Sequence, residues 1–63
     1  MYYRIEIAMN NDAFSSDPGP ELARILRKLA HRIEYFAEED LESIIRLLDT
    51  NGNAVGTATL SEI

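Results

Sequence analysis

The sequence predicts an α+β fold of two layers, one amphipathic helix packed on a three-stranded sheet in the order β-α-β-β, and three observations predict it. Apolar and polar residues alternate near the N-terminus. Apolar residues then recur at helical spacing through the middle, and an Asn-Gly pair separates two β-prone runs near the C-terminus.

Tyr3, Ile5, Ile7 and Met9 fall on one face of an extended segment, with Tyr2, Arg4, Glu6 and Ala8 on the other, the pattern of a half-buried strand. Asn10 to Pro20 is a loop rich in turn residues, and its one large apolar residue, Phe14, is expected to fold back on the core as the loop's anchor. Pro18 or Pro20 suits a first helical position, where a missing N–H costs nothing, and Glu21 suits the positive end of the helix. Leu22, Ile25, Leu26, Leu29, Ile33 and Phe36 then form a stripe about 100° wide, ending near Ala37.

Ser43 to Asp49 and Ala54 to Leu60 read as strands joined at Asn51-Gly52, the pair that a type I′ hairpin turn favours because both of its central residues need positive φ. Pairing outward from Thr50 opposite Asn53 sets Leu48 against Val55, Leu47 against Gly56, Arg46 against Thr57 and Ile45 against Ala58. Ile45, Leu47, Gly56, Ala58 and Leu60 then face inward, and the small residues at 56 and 58 are expected to let the helix approach closely. Tyr2, Arg4, Glu6, Ile44, Arg46, Leu48, Val55 and Thr57 are left on an open outer face. Three aliphatics and a tyrosine there are too few for a second core but enough for a contact patch.

The 63 residues are expected to form a single small domain, 1–63, with 46% apolar and 27% charged residues, the balance of a folded chain. A core this thin leaves little room for a catalytic pocket, so the chain is read as a non-enzyme that acts by touching another macromolecule. With no Cys, neither a disulfide nor a thiolate metal site is available. No basic n-region leads an apolar run and no stretch approaches the length of a membrane span, so a soluble cytoplasmic protein with no membrane partner is expected.

Asp49-Thr50-Asn51-Gly52-Asn53 begins like a calcium-binding EF-hand loop. However, Ala54 stands at the sixth position, where Gly is needed, and Leu60 at the twelfth, where Glu is needed. A hairpin turn accounts for the same residues. His31, the only histidine, lies on the polar side of the helix with no second ligand or triad partner nearby in sequence. No catalytic residue, metal or cofactor is assigned.

Charge is distributed unevenly. The net charge is −5. Residues 1–20 sum to −2, the helix to +2 through Arg24, Arg27, Lys28 and Arg32, and residues 38–63 to −5. The run Glu38-Glu39-Asp40-Leu41-Glu42 places negative charge past the helix C-terminus, where the macrodipole is already negative and a sequence chosen only for stability would carry Gly, Asn or Lys. Carboxylates so placed can steer association and occupy sites meant for phosphates. The candidate binding surface is therefore Glu38, Glu39, Asp40 and Glu42, with Asp12 and Asp17 as its extension.

Ala23-Arg24-Ile25-Leu26-Arg27-Lys28-Leu29-Ala30 in the helix and Leu47-Leu48-Asp49-Thr50-Asn51-Gly52-Asn53-Ala54-Val55-Gly56 in the hairpin resemble a group of small orphan proteins of bacteriophages and plasmids. The resemblance covers most of the chain but rests on structural motifs, a helix stripe and a hairpin turn. It implies a host-defence inhibitor, similar to the anti-CRISPR proteins that act on type I (Cascade) systems by presenting acidic surfaces that block DNA binding. The implied partner is a protein with a basic surface, such as a CRISPR effector subunit, in the host bacterial cytoplasm, with no direct nucleic acid. It carries over no site residue, and the basic helix stripe departs from a uniformly acidic DNA mimic. Two other readings stand beside it, a structural or regulatory module that dimerises through the open sheet face and a nucleic-acid binder using the helix stripe, and the chain is expected to be a monomer or a weak homodimer.

Overall fold

A computed structural model describes residues 1–61, and Glu62, counted above with the C-terminal acidic charges, lies outside them with Ile63. The chain forms strand β1 (Tyr2–Ile7), a 3₁₀ turn (Asp12–Phe14), helix α1 (Pro18–Glu34), a second 3₁₀ turn (Glu38–Glu42), and strands β2 (Ile45–Leu48) and β3 (Ala54–Ser61). The sheet order is β1-β3-β2, with β3 antiparallel to both neighbours. One helix on a three-stranded sheet is the α+β architecture that the sequence predicts.

Phe14, Ile25, Leu29, Ile45, Leu47, Val55 and Ala58 form the buried core, with Tyr3, Ile7, Ala13, Ile33 and Phe36 packed against it. Phe14 is 3% exposed, so the loop after β1 is anchored as expected. The helix ends three residues earlier than Ala37. The N–H of Tyr35 bonds back to Arg32 and Ile33 and that of Phe36 to Ile33, tightening the final turn, and Phe36 reaches the core from beyond the helix. A single helix does not span three strands. Ile5 pairs with Ala58 and so shares the inner face, yet it is 43% exposed, while Ala58 and Ile45 beside it are buried. Leu26, on the flank of the stripe, is likewise 38% exposed, and Met9 lies beyond the end of β1.

The hairpin departs from the expected turn. No described residue other than Gly has positive φ, which excludes type I′ geometry at Asn51; Gly52 alone is left-handed, at φ 85°. The N–H of Gly52 donates to the Asp49 carbonyl at 3.0 Å and that of Asp49 to the Asn53 carbonyl at 2.9 Å. This is a three-residue loop, a type I turn followed by a left-handed glycine. The longer loop pairs Leu48 with Ala54, one place off the expected register, and a bulge at Val55 then restores Leu47–Gly56, Arg46–Thr57 and Ile45–Ala58 as predicted.

The bulge turns Val55 inward, to 9% exposure, and corrects its placement on the outer face. That face keeps Tyr2 and Leu48 as its large apolar residues in the strands, with Ile44 just before β2. Gly56 also has a different role from the expected one. A Cβ built on it would overlap the Glu6 carbonyl of β1, so its smallness admits the neighbouring strand rather than the helix.

Three substitutions test this packing. Val55→Ala should cost about 1.5–3 kcal/mol while Leu48→Ala costs little, a difference that the unbulged register, with both side chains on the outer face, would erase. Gly56→Ala should cost about 1–3 kcal/mol by forcing β1 and β3 apart. Denaturant melts of the three variants provide the measurement, and an unaffected Gly56→Ala protein would contradict the contact with β1.

Candidate functional site

Two carboxylates lie buried where the hairpin meets the start of α1. Glu21, 9% exposed, accepts Arg24 Nε at 2.8 Å and Arg24 Nη2 at 3.1 Å, a two-pronged pair within the first turns of the helix. Glu21 Oε2 also accepts the backbone N–H of Thr50 at 2.8 Å, which ties the helix to the hairpin turn. Arg24 reaches on to the Leu48 carbonyl at 3.2 Å. It is thus committed to the fold and is not part of a solvated basic stripe.

Asp49, 4% exposed, collects four donors: the N–H groups of Asn51 and Asn53, both at 2.9 Å to Oδ1, and the side-chain amides of Asn53 at 3.3 Å and Asn11 at 2.6 Å to Oδ2. The stretch that begins like a calcium loop is therefore a turn closed on its own carboxylate. Among the described residues no three His, Asp or Glu side chains gather in a way that could hold a metal.

Burial opposes ionisation of Asp49, but the Asn53 N–H, the amides of Asn53 and Asn11 and the Asn51 N–H outweigh it and hold its pKa below the ordinary value. Glu21 is lowered first by its hydrogen bonds from Arg24, against burial and the nearby Asp49 charge, with help from the Thr50 N–H.

The acidic run expected as a loop is an ordered 3₁₀ turn. Asp40 accepts the Ala37 N–H on Oδ2 at 3.0 Å while its own N–H donates to the Ala37 carbonyl at 3.0 Å. Leu41 turns half inward, and Glu39, Asp40 and Glu42 are exposed; of Glu38 only the backbone is described. Among the described residues no cation lies within ion-pairing distance of Glu39, Asp40 or Glu42.

Asp12 and Asp17 do not extend this surface. Asp17 precedes the first helical residue and Glu38 follows the last, so a helix of 17 residues, about 25 Å of axis, separates them. Asp12, exposed at the start of the first 3₁₀ turn, belongs to that far end, because the adjacent Asn11 bonds Asp49 next to Glu21 in the first turn of the helix. The candidate surface thus divides into a C-terminal patch of Glu38 to Glu42 and a separate N-terminal pair.

His31 is exposed and meets the Tyr35 ring edge-on at 5.3 Å. Among the described residues no helix is long and apolar enough to cross a membrane. No family model matches the chain, and no curated protein or solved structure matches it.

The buried pair predicts an acid-sensitive fold. Since both folded-state values lie below the ordinary ones, ionised Asp49 and Glu21 stabilise the fold fully above roughly pH 4, and that stabilisation is lost as pH falls through the lowered values. The melting temperature should be steady from pH 7 to 5 and drop below about pH 4. Asp49→Asn should melt lower at neutral pH and show a shallower acid slope than wild type. Equal slopes would remove Asp49 from this role.

Proposed function

We propose that the protein is a non-catalytic inhibitor that docks its acidic 3₁₀ turn, Glu38–Glu42, on a basic nucleic-acid-binding surface of a partner protein in the bacterial cytoplasm. The observation that carries this reading is the exposed trio Glu39, Asp40 and Glu42, free of described cations and held in one geometry by the Asp40–Ala37 bonds. Exposed carboxylates steer a basic partner at long range, and a turn that is already ordered leaves less backbone to order on contact. The resemblance to phage and plasmid proteins of the anti-CRISPR kind points to a type I effector complex as the partner, with target DNA as the excluded ligand. Burial of Val55 removes one of the aliphatics on which the alternative, a dimer through the outer sheet face, depends.

The test is DNA binding by a purified type I effector complex with increasing amounts of the protein. Wild type should lower DNA binding, and Glu39→Lys with Glu42→Lys should abolish the effect without changing the melt, because both side chains are exposed. Asp40→Lys is a different experiment, since it removes the bond to Ala37 and so perturbs the turn itself. Inhibition should weaken as salt rises, first through the association rate, because exposed charges act over about 8 Å at physiological ionic strength. Unchanged DNA binding at saturating wild-type protein would rule this partner out. Full inhibition by the double variant would rule out the surface.

A further inference from the structure

Between the flank of α1 and the outer edge of β2 lies a groove of about 40 Å³. Its floor is apolar, formed by buried Ile25, Leu29 and Leu47, and Leu48, 44% exposed, forms its lip. Lys28 and Arg32, one helical turn apart, line it from the helix side and Arg46 from the strand side. All three cations are exposed, and among the described residues none is within ion-pairing distance of a carboxylate. Glu6 shares the cross-strand row of Arg46 but lies beyond Thr57, two strand spacings or roughly 10 Å away.

β2 ends the sheet on this side, so its far edge has no strand neighbour. The Leu48 carbonyl is already taken by Arg24, which closes the edge at the hairpin end. Charged side chains along an edge repel a second copy presenting the same edge, and the same charges select a strand of opposite sign. The apolar floor offers nothing to a phosphate backbone, and a net charge of −5 opposes the approach of a polyanion.

We infer that the β2 edge is a docking site for an extended acidic segment of a partner protein, one that alternates carboxylate and aliphatic side chains. Such a segment adds as a fourth strand beside Ile45–Leu47. Its carboxylates, on the helix side, meet Lys28 and Arg32, and its aliphatics, on the outer side, lie against the exposed Leu48 and Ile44 flanking Arg46. This site is opposite in sign to the Glu38–Glu42 surface and does not depend on that reading.

The test is an amide NMR titration of the intact protein with a capped eight-residue peptide of alternating Glu and Val. The Arg46 amide, whose N–H points out from the edge, should shift and exchange more slowly. Affinity should fall about tenfold or more when Lys28, Arg32 and Arg46 are changed together to Glu, and likewise when the peptide's Val residues become Ser. If the triple variant fails to fold, Lys28→Gln with Arg32→Gln carries the same comparison with a smaller loss. The inference is overturned if the Glu–Val peptide does not bind at millimolar concentration, or if the Glu–Ser peptide binds equally well. Shifts confined to β1 would also overturn it. So would tighter binding of a single-stranded oligonucleotide of equal charge, which would make this a nucleic-acid site. A wild-type dimer that the triple variant abolishes and the peptide leaves intact would assign the edge to a second copy.

Discussion

A carboxylate buried at the tip of a hairpin stays charged only where donors surround it, and Asp49 is surrounded by four. Those donors come from the turn itself and from Asn11 in the loop after β1. Through Glu21, the adjacent Thr50 N–H is joined to the first turn of α1. Three connections that are distant in sequence thus meet at one end of the molecule. Among the described residues the apolar core has seven buried side chains, and a core of that size leaves the relative placement of helix and hairpin under-specified. The polar cluster supplies what is missing: it sets where the helix begins relative to the turn, and so which helix face looks down on β2.

The periodic features of the fold were legible in the sequence because a regular repeat has few physical readings. The alternation of Tyr3, Ile5 and Ile7, the stripe through Ile25 and Leu29, and the anchoring of Phe14 all appear in the structure. Local chemistry that competes with a repeat was not. Asn-Gly favours a type I′ turn in isolation, but an aspartate two residues before the asparagine offers its carboxylate to the Asn51 and Asn53 N–H groups, which closes a longer loop. The spacing of Asp49, Asn51 and Asn53 is a signal for that turn. Glu21 and Arg24, three apart after Pro20, also carried a pairing signal, although nothing local in the sequence announces that Glu21 is buried and takes the Thr50 N–H as well. The acidic run was legible as charge, while the split between its residues and Asp12 and Asp17 needed the helix laid out in space.

Charge is sorted by location as well as by sign. The flank of α1 toward β2 carries Lys28 and Arg32, whereas the opposite flank carries the exposed Leu26. The acidic 3₁₀ turn lies past one end of the helix and Asp12 and Asp17 at the other. A molecule with a net charge of −5 thus offers a local positive face along one sheet edge. Short-range contacts there and long-range steering by the acidic ends act at different separations, because screening removes the weaker local field within about a Debye length.

The three-residue loop and the bulge at Val55 each add one residue to the hairpin, on opposite sides of the Leu48–Ala54 pair, and their effects on the rest of the ladder cancel. In the unchanged sequence neither can therefore switch alone. Closing a two-residue loop while keeping the bulge would slide β3 by one place along β2 and send Ala58 to the solvent side. Losing the bulge while keeping the loop would slide it the other way. The one alternative that keeps Ala58 opposite Ile45 loses both features together, and that step would give up the Asp49 turn and the inward Val55 at once.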